Sequence, residues 1–325
     1  MTILRSRVIG LGSYVPERRV TNDDLAKLVE TSDEWIVERT GIRSRFFGDE
    51  NLCSSVQAIH AAQNALDMAG LKGDDIDLIV LGTATADKTF PATAAYVQAA
   101  LGMTHGAAFD VVAACSGFIY SMEMADNMLR LGKAKTALVI GVETFSKILD
   151  FTDRNTCVLF GDGAGAAIIR SEEAPGEISD RGILDLEIRS DGRYAPELCS
   201  TGGPSTNYIV GRISMNGREV FRHAVTNMAE ISAEILQKNG LSLDDVSWLI
   251  PHQANMRILD ATAKKLGIPT EKVIATVDHH ANTSAASIPL ALDESYRKGK
   301  IKDGDLLLLT AMGAGFTWGA GLIRL

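Results

Sequence analysis

Gly70-Leu-Lys-Gly-Asp-Asp-Ile-Asp-Leu-Ile-Val80 is answered 170 residues later (240 − 70) by Gly240-Leu-Ser-Leu-Asp-Asp-Val-Ser-Trp-Leu-Ile250. Both copies follow the same local logic. A glycine closes a helix, acidic residues make a turn, and an apolar run follows as a buried strand. Two further matches keep the order: Ala137-Leu-Val-Ile-Gly141 with Leu306-Leu-Leu-Leu-Thr310, and Gly163-Ala-Gly-Ala-Ala-Ile-Ile-Arg170 with Gly319-Ala-Gly-Leu-Ile-Arg324. Three ordered matches predict a duplicated α/β chain, with one half over residues 1–172 and the other over 173–325. The stretch Ser171-Glu-Glu-Ala-Pro-Gly-Glu177 joins them. The strands are rich in Val, Ile and Leu, as expected of sheets covered on both faces.

The duplication gives one cysteine a setting. In Phe109-Asp-Val-Val-Ala-Ala-Cys-Ser-Gly-Phe118 a strand ends at Cys115. A helical pattern then begins (Phe118, Ile119, Met122, Met124, Ala125, Met128, Leu129). A thiol at a helix N-terminus meets the positive end of the backbone dipole, which favours thiolate. Its counterpart in the second half, 167 residues on (115 + 167), is Asn282. Asn282 follows an expected strand over Val273–Val277 and precedes an expected helix from Ser287 to Tyr296. His252 follows the strand Ser247-Trp-Leu-Ile250 through Pro251, and an imidazole fixed there can donate or accept from a defined direction. Residues at the carboxyl ends of neighbouring strands gather in one crevice. If Cys115, His252 and Asn282 meet in it, the chain is a cysteine-nucleophile enzyme.

Other features carry less. Hydrophobic content of 46%, charged content of 22% and 30 glycines describe an ordinary α/β protein. Net charge is −9, from 32 basic and 41 acidic residues, which argues against nonspecific nucleic-acid binding. No apolar run reaches the roughly 18 residues of a membrane span. Met1-Thr-Ile-Leu-Arg lacks a signal peptide's apolar stretch, so the cytoplasm is the expected compartment. Cys53, Cys157 and Cys199 read as reduced thiols in packing or incidental positions, and no C-x-x-C pair suggests a metal. Gly10-Leu-Gly12 and Gly161-Asp-Gly-Ala-Gly165 lack the full dinucleotide fingerprint and read as turns. Residues 190–217, with five Gly, two Pro and no period, read as a long loop that is either a mobile neighbour of a ligand site or a plain surface excursion. Arg257, Lys264 and Lys265 share a helix face, with Arg222 nearby, either as a solvated basic face or as a dock for an acidic or phosphorylated carrier.

Taken together, the segments resemble the β-ketoacyl-acyl carrier protein synthase III family across essentially the whole chain. The markers are Thr31-Ser-Asp-Glu-Trp-Ile-Val-Glu-Arg-Thr-Gly-Ile-Arg43, Ala113-Ala-Cys-Ser-Gly-Phe118 and Gly161-Asp-Gly-Ala-Gly-Ala166. They continue with Pro251-His-Gln-Ala-Asn255, Ala281-Asn-Thr-Ser-Ala285 and Gly313-Ala-Gly-Phe-Thr-Trp-Gly319. The resemblance implies a thiolase-like fold, two pseudo-symmetric halves in an αβαβα sandwich, and a homodimer. It implies Cys115 as acyl acceptor, His252 and Asn282 as the decarboxylating pair, and backbone N–H groups of Cys115 and Ala314 as oxyanion donors. Trp35 and Arg154 would flank the adenine of coenzyme A, with Thr31 and Arg39 close by. Arg222 and Arg257 would lie at the pantetheine entrance or the carrier-protein surface, and Phe90 would reach the partner's acyl pocket. The chain departs from the family pattern at Ala314, where some members carry glycine, and at Arg218, where some carry asparagine.

The implied reaction joins a short acyl-CoA to malonyl-acyl carrier protein with loss of carbon dioxide. Such chemistry calls for no metal and no redox cofactor. A thiolase would want a second cysteine late in the chain, and none follows Cys199. Elongating condensing enzymes use two histidines, where this chain has Asn282. A papain-type hydrolase shares the Cys–His–Asn set but has another sequence around the cysteine. A non-catalytic carrier-binding module and a condensing enzyme of secondary metabolism complete the alternatives. The sequence does not disclose the primer.

Overall fold

In the computed structural model, which describes residues 2–325, the two copies of the repeat fold alike. Gly70 and Gly240 both end helices at φ +65°. Each is followed by a single 3-10 turn, Gly73–Asp75 or Leu243–Asp245, and then by a buried strand. The main strands are β1 (Ile3–Tyr14), β2 (Leu78–Gly82), β3 (Ala107–Val111), β4 (Thr136–Thr144), β5 (Asp162–Ala174), β6 (Gly182–Ser190), β7 (Trp248–Pro251), β8 (Leu306–Gly313) and β9 (Thr317–Arg324). The first sheet runs β1-β5-β4-β2-β3 and the second β6-β9-β8-β7. Their registers superpose: Leu78 faces Ala137 in the first sheet and Trp248 faces Leu307 in the second, an offset of 170 in both strands (248 − 78, 307 − 137). Thr136 faces Arg170, and Leu306 faces Arg324. The third sequence match therefore holds from its C-terminal end.

Alternation along the strands builds the layers, because successive side chains leave opposite faces of a sheet. Leu78, Val80, Leu307 and Leu309 point into the core shared by the two sheets. Ile79, Leu81 and Ile140 point outward beneath the helix α2 (Ser54–Ala69), and Leu306 and Leu308 outward beneath α5 (Gly217–Lys238). The central layer holds α4 (Gly117–Arg130) and α7 (Ser287–Arg297). Phe118, Ile119, Met122, Ala125 and Leu129 of α4 are buried there, as the helical pattern predicts. The order α, β, α, β, α is a layered sandwich. The remaining helices used below are α1 (Asp33–Thr40), α3 (Thr93–Ala100) and α6 (Met256–Leu266).

Five local expectations are corrected. Gly10 and Gly12 are not in a turn but in β1, where a Cβ on Gly12 would stand 2.3 Å from the Ala61 carbonyl of α2. Of the second glycine motif, Gly163 and Gly165 lie in β5, close under Pro289 of α7 at Gly165. Close helix-on-sheet approach, not turn geometry, requires these glycines. Val273–Val277 is not a strand: only a bridge from Leu249 to Val273 forms before the short helix Val277–His280. Residues 190–217 are not without structure, because Leu198–Ser200 pairs antiparallel with Ile213–Met215. Finally, Cys115 corresponds to Ala285 rather than Asn282. The equivalent 3-10 turns are Ala114–Ser116 and Ser284–Ala286, both entered through a positive φ, +45° at Ala114 and +50° at Ser284.

Candidate active site

The turn Ala114–Ser116 lifts Cys115 off the end of β3 and delivers it to the start of α4. Cys115 is 7% exposed, and its accessible side opens on a cavity of about 370 Å³ that His252 and Asn282 also line. Three sequence-predicted residues from three separate segments thus share one cavity. Its walls are largely apolar, with Phe160, Leu198, Met228 and Met312 among them, while Arg39, Arg218 and Arg257 add positive charge.

His252 is held at the end of β7 by its own N–H, which donates to the Thr310 carbonyl at 2.8 Å. Its Nδ1 lies 2.7 Å from Ser287 Oγ at the start of α7. Ser287 Oγ already accepts from the Gln253 N–H at 3.3 Å. With the hydroxyl proton directed at His252 Nδ1, the ring proton would stand on Nε2 as a donor to the cavity. Burial pushes the imidazole down to about 3, so it is neutral at working pH. Asn282 is 6% exposed, and its Oδ1 accepts from the Ser284 N–H at 2.8 Å. With the carbonyl side occupied, the amide Nδ2 is the group left for the cavity. Histidine and asparagine are therefore both arranged as neutral donors.

The Cys115 expectation needs correction. Burial pushes the thiol up to about 12. Desolvation is the largest cause and opposes the ionisation that a helix N-terminus favours. Sequence reasoning missed the group behind it. Glu143, at the end of β4, is fully buried and pushed up to about 7 by desolvation. Its carboxylate accepts from Thr85 Oγ1 at 2.6 Å, Ala84 N–H at 3.1 Å and Ser284 Oγ at 3.1 Å. Ser284 was visible only as part of Ala281-Asn-Thr-Ser-Ala285, and nothing in the sequence marked Glu143.

The Gly313–Gly315 segment abuts the nucleophile turn. A Cβ on Gly313 would stand 2.6 Å from the Cys115 nitrogen, so glycine is required there. Thr317 Oγ1 lies 2.6 Å from Ser116 Oγ and 3.0 Å from the carbonyls of Ala113 and Ala314, which ties both turns together.

The expected coenzyme A residues form a group at the rim. The guanidinium carbons of Arg39 and Arg154 lie 4.6 and 4.9 Å from the Trp35 ring centroid. Arg154 also donates to the Glu30 carbonyl, beside Thr31, whose buried Oγ1 has no partner among the described residues. Of these four residues, Arg39 lines the cavity. Of the expected carrier-docking residues, Arg257 lies at the cavity mouth, 5.8 Å from the Phe221 ring centroid. Arg222 is exposed and ion-paired to Glu219, Lys265 reaches Thr226 and Glu230, and Lys264 is exposed. Phe90 is 81% exposed, well apart from these groups in sequence and free of the cavity lining.

His279, His280 and Glu294 cluster just before Asn282 in the chain and on α7. His279 bridges Asp278 at 2.8 Å and Glu294 at 2.9 Å, so an ion-pair network accounts for the group.

Profiles described as 3-oxoacyl-[acyl-carrier-protein (ACP)] synthase III and its C-terminal part match residues 109–192 and 236–325. A β-ketoacyl-[acyl-carrier-protein] synthase III of Rhodospirillum centenum is 58% identical over 321 residues, 99% of each chain. The chain belongs to the β-ketoacyl-acyl carrier protein synthase III family. Among solved synthase III structures, that from Aquifex aeolicus superposes at a TM-score of 0.92 with 47% identity, covering 98% of this chain and 100% of its own. The priming β-ketosynthase of the R1128 polyketide pathway also reaches 0.92, at 33% identity, covering 99% of this chain and 97% of its own. The 58% and 47% identities to the Rhodospirillum centenum and Aquifex aeolicus synthases, against 33% to the polyketide enzyme, favour the fatty-acid branch.

Proposed function

We propose that Cys115, His252 and Asn282 carry the initiating condensation of fatty-acid synthesis, with Cys115 as acyl acceptor and the other two as donors to the malonyl thioester. The observation that carries this is their convergence on one cavity with both neutral donors already oriented. In the first half-reaction the Cys115 sulfur attacks an acyl-CoA carbonyl. Backbone N–H groups of Cys115 and Ala314 serve the developing oxyanion, and coenzyme A departs. Malonyl-acyl carrier protein then enters. Decarboxylation leaves an enolate whose oxygen takes hydrogen bonds from His252 Nε2 and Asn282 Nδ2. Neither donor brings a second full charge beside the sulfur. The enolate carbon attacks acyl-Cys115, giving 3-oxoacyl-acyl carrier protein and free Cys115.

The rim residues Thr31, Trp35, Arg39 and Arg154 fit the adenine and phosphate end of coenzyme A, with an aromatic face and two guanidinium groups. Arg222, Arg257, Lys264 and Lys265 offer an acidic carrier a positive approach to the same mouth. A homodimer would give the exposed Phe90 an apolar partner, and the halves 1–172 and 173–325 would each supply one sheet. No described helix is long and apolar enough to cross a membrane. A hydrolase reading fits less well, because the walls beside Cys115 are apolar and the relatives are acyl-transferring enzymes. Acetyl-CoA should label Cys115, and prior iodoacetamide should block it. Labelling at Cys53 or Cys157 instead would overturn the assignment.

A further inference from the structure

We propose that Glu143 positions Asn282 for decarboxylation by way of Ser284, an inference that rests on Asn282 being a donor to the malonyl thioester. The backbone of Asn282 is clamped from both sides. Its N–H donates to the Leu159 carbonyl at 2.9 Å, and its carbonyl accepts from the Gly161 N–H at 3.0 Å. Its side chain has one tether among the described residues, the Ser284 N–H on Oδ1 at 2.8 Å. The direction of the free amide hydrogens therefore follows wherever Ser284 is held. Ser284 stands at φ +50°, a region that a residue with a side chain keeps only where its surroundings fix it. The fixing contact is its hydroxyl, which donates to Glu143 Oε1 at 3.1 Å.

Glu143 is itself fixed. It is fully buried at the end of β4, and three donors from the segment after β2 converge on it. Thr85 Oγ1 at 2.6 Å and Thr83 Oγ1 at 3.3 Å reach Oε2, and the Ala84 N–H lies 3.1 Å from both oxygens. An ionised carboxylate only accepts, with room for about four donors, and Ser284 is the fourth. One side chain of the first half thus joins a rigid corner to the turn that carries Asn282 in the second.

The duplication supplies a comparison inside the molecule. An offset of 170 sets Ser284 on Ala114 and Glu143 on Gly313 (284 − 170, 143 + 170), so each of these strand ends meets the other half's turn. Ala114 takes φ +45° with a methyl alone, so the turn itself needs no hydroxyl. Asn282 falls on Val112 (282 − 170), which is 79% exposed and has no polar group to aim. Against the Cys115 turn the strand end is bare glycine. Against the turn that must aim a side chain, the strand end carries a carboxylate and the turn a serine. Of the two halves, only the one with the amide has this pair beside it.

Carbon dioxide release from malonyl-acyl carrier protein and single-turnover acetyl transfer from acetyl-CoA to Cys115, assayed separately, test the role. Glu143→Gln and Ser284→Ala should each lower kcat for decarboxylation at least about tenfold more than they lower acetyl transfer, as a misaimed donor does. KM for malonyl-acyl carrier protein should stay within about twofold, because no substrate contact is removed. The double variant should lose little more than either single one, since both break the same bond. Ser284→Ala decides the matter even where Glu143→Gln folds poorly, because Ala114 shows that the turn forms with alanine. Equal losses in the two half-reactions, or losses that add in the double variant, mean that Glu143 and Ser284 serve the fold alone and overturn the proposal. An unchanged kcat in folded Ser284→Ala does the same. Normal decarboxylation by Asn282→Ala would instead remove the reading beneath it.

Discussion

At Asn282 a single hydrogen bond decides what the side chain offers. Its carbonyl oxygen is held by the Ser284 N–H, so only the amide hydrogens remain for a substrate oxygen. Asn282→Ala should therefore abolish malonyl decarboxylation, seen as loss of carbon dioxide release, yet leave acetyl transfer to Cys115 within a few-fold. Lost acylation with normal decarboxylation would reverse the role. His252 makes a second prediction. Its folded value near 3 lies below the unfolded value near 6.5, so the unfolded chain binds more protons as pH falls. Stability is fully present above pH 6.5 and erodes by about 1.4 kcal/mol per unit below it, down to about 3. Between pH 6.5 and 5 that is about 2 kcal/mol. His252→Gln should lack this loss, which urea unfolding of both proteins at the two pH values would measure. His280, also pushed down by burial, to about 4, is common to both proteins and cancels. Cys115 and His252 were legible because each follows a strand end beside turn residues, whereas Asn282 was legible through its motif Ala281-Asn-Thr-Ser-Ala285, since the strand expected before it does not form. The state of Cys115 was not, since a dipole can be read from a helix pattern whereas desolvation depends on walls from distant segments.

Elements show where periodicity suffices and where it fails. Both faces of β2 and β8 are apolar, and their runs of Leu, Ile and Val were readable as buried strands. Val273–Val277 has the same composition but cannot continue as a strand, because the chain turns into Val277–His280 to bring Asn282 beside Leu159. Tertiary demand overrode β propensity there. The basic face of α6 was also readable, but its internal differences were not. Lys265 is occupied by Thr226 and Glu230 of α5, whereas Lys264 is exposed and Arg257 sits at the cavity mouth. Arg257→Glu and Lys264→Glu should each raise KM for malonyl-acyl carrier protein by about threefold to tenfold, more than for acetyl-CoA, and more so at low salt. Lys265→Glu should do less. Steady-state kinetics with each substrate varied in turn, at two ionic strengths, would check this. Equal effects on both substrates would remove the docking role.

At the scale of the molecule, duplication brings the two turns together across a pseudo-symmetric seam. An offset of 170 maps His252 and Ser287 onto Gly82 and Gly117, and both pairs are in contact. His252 bonds Ser287, while a Cβ on Gly82 would lie 2.6 Å from the Gly117 carbonyl carbon. The same geometry that serves chemistry in the second half serves close backbone packing in the first. Gly141 of β4 lies on this seam, and a Cβ there would stand 2.1 Å from the Ala285 carbonyl oxygen. That oxygen belongs to backbone inside the turn bearing Ser284, so relief requires the turn to move. Gly141→Ala should destabilise the protein by about 2 kcal/mol or more, as overpacking against backbone does. It should also slow decarboxylation, because Ser284 and Asn282 ride on the displaced segment. Gly192→Ala is the control: nothing lies within 4 Å of a Cβ there, and its stability should stay within about 0.5 kcal/mol of wild type. Chemical unfolding alongside separate assays of the two half-reactions tests the seam. A Gly141→Ala protein that lost stability but kept both rates would show that the contact between halves holds the fold without setting the site.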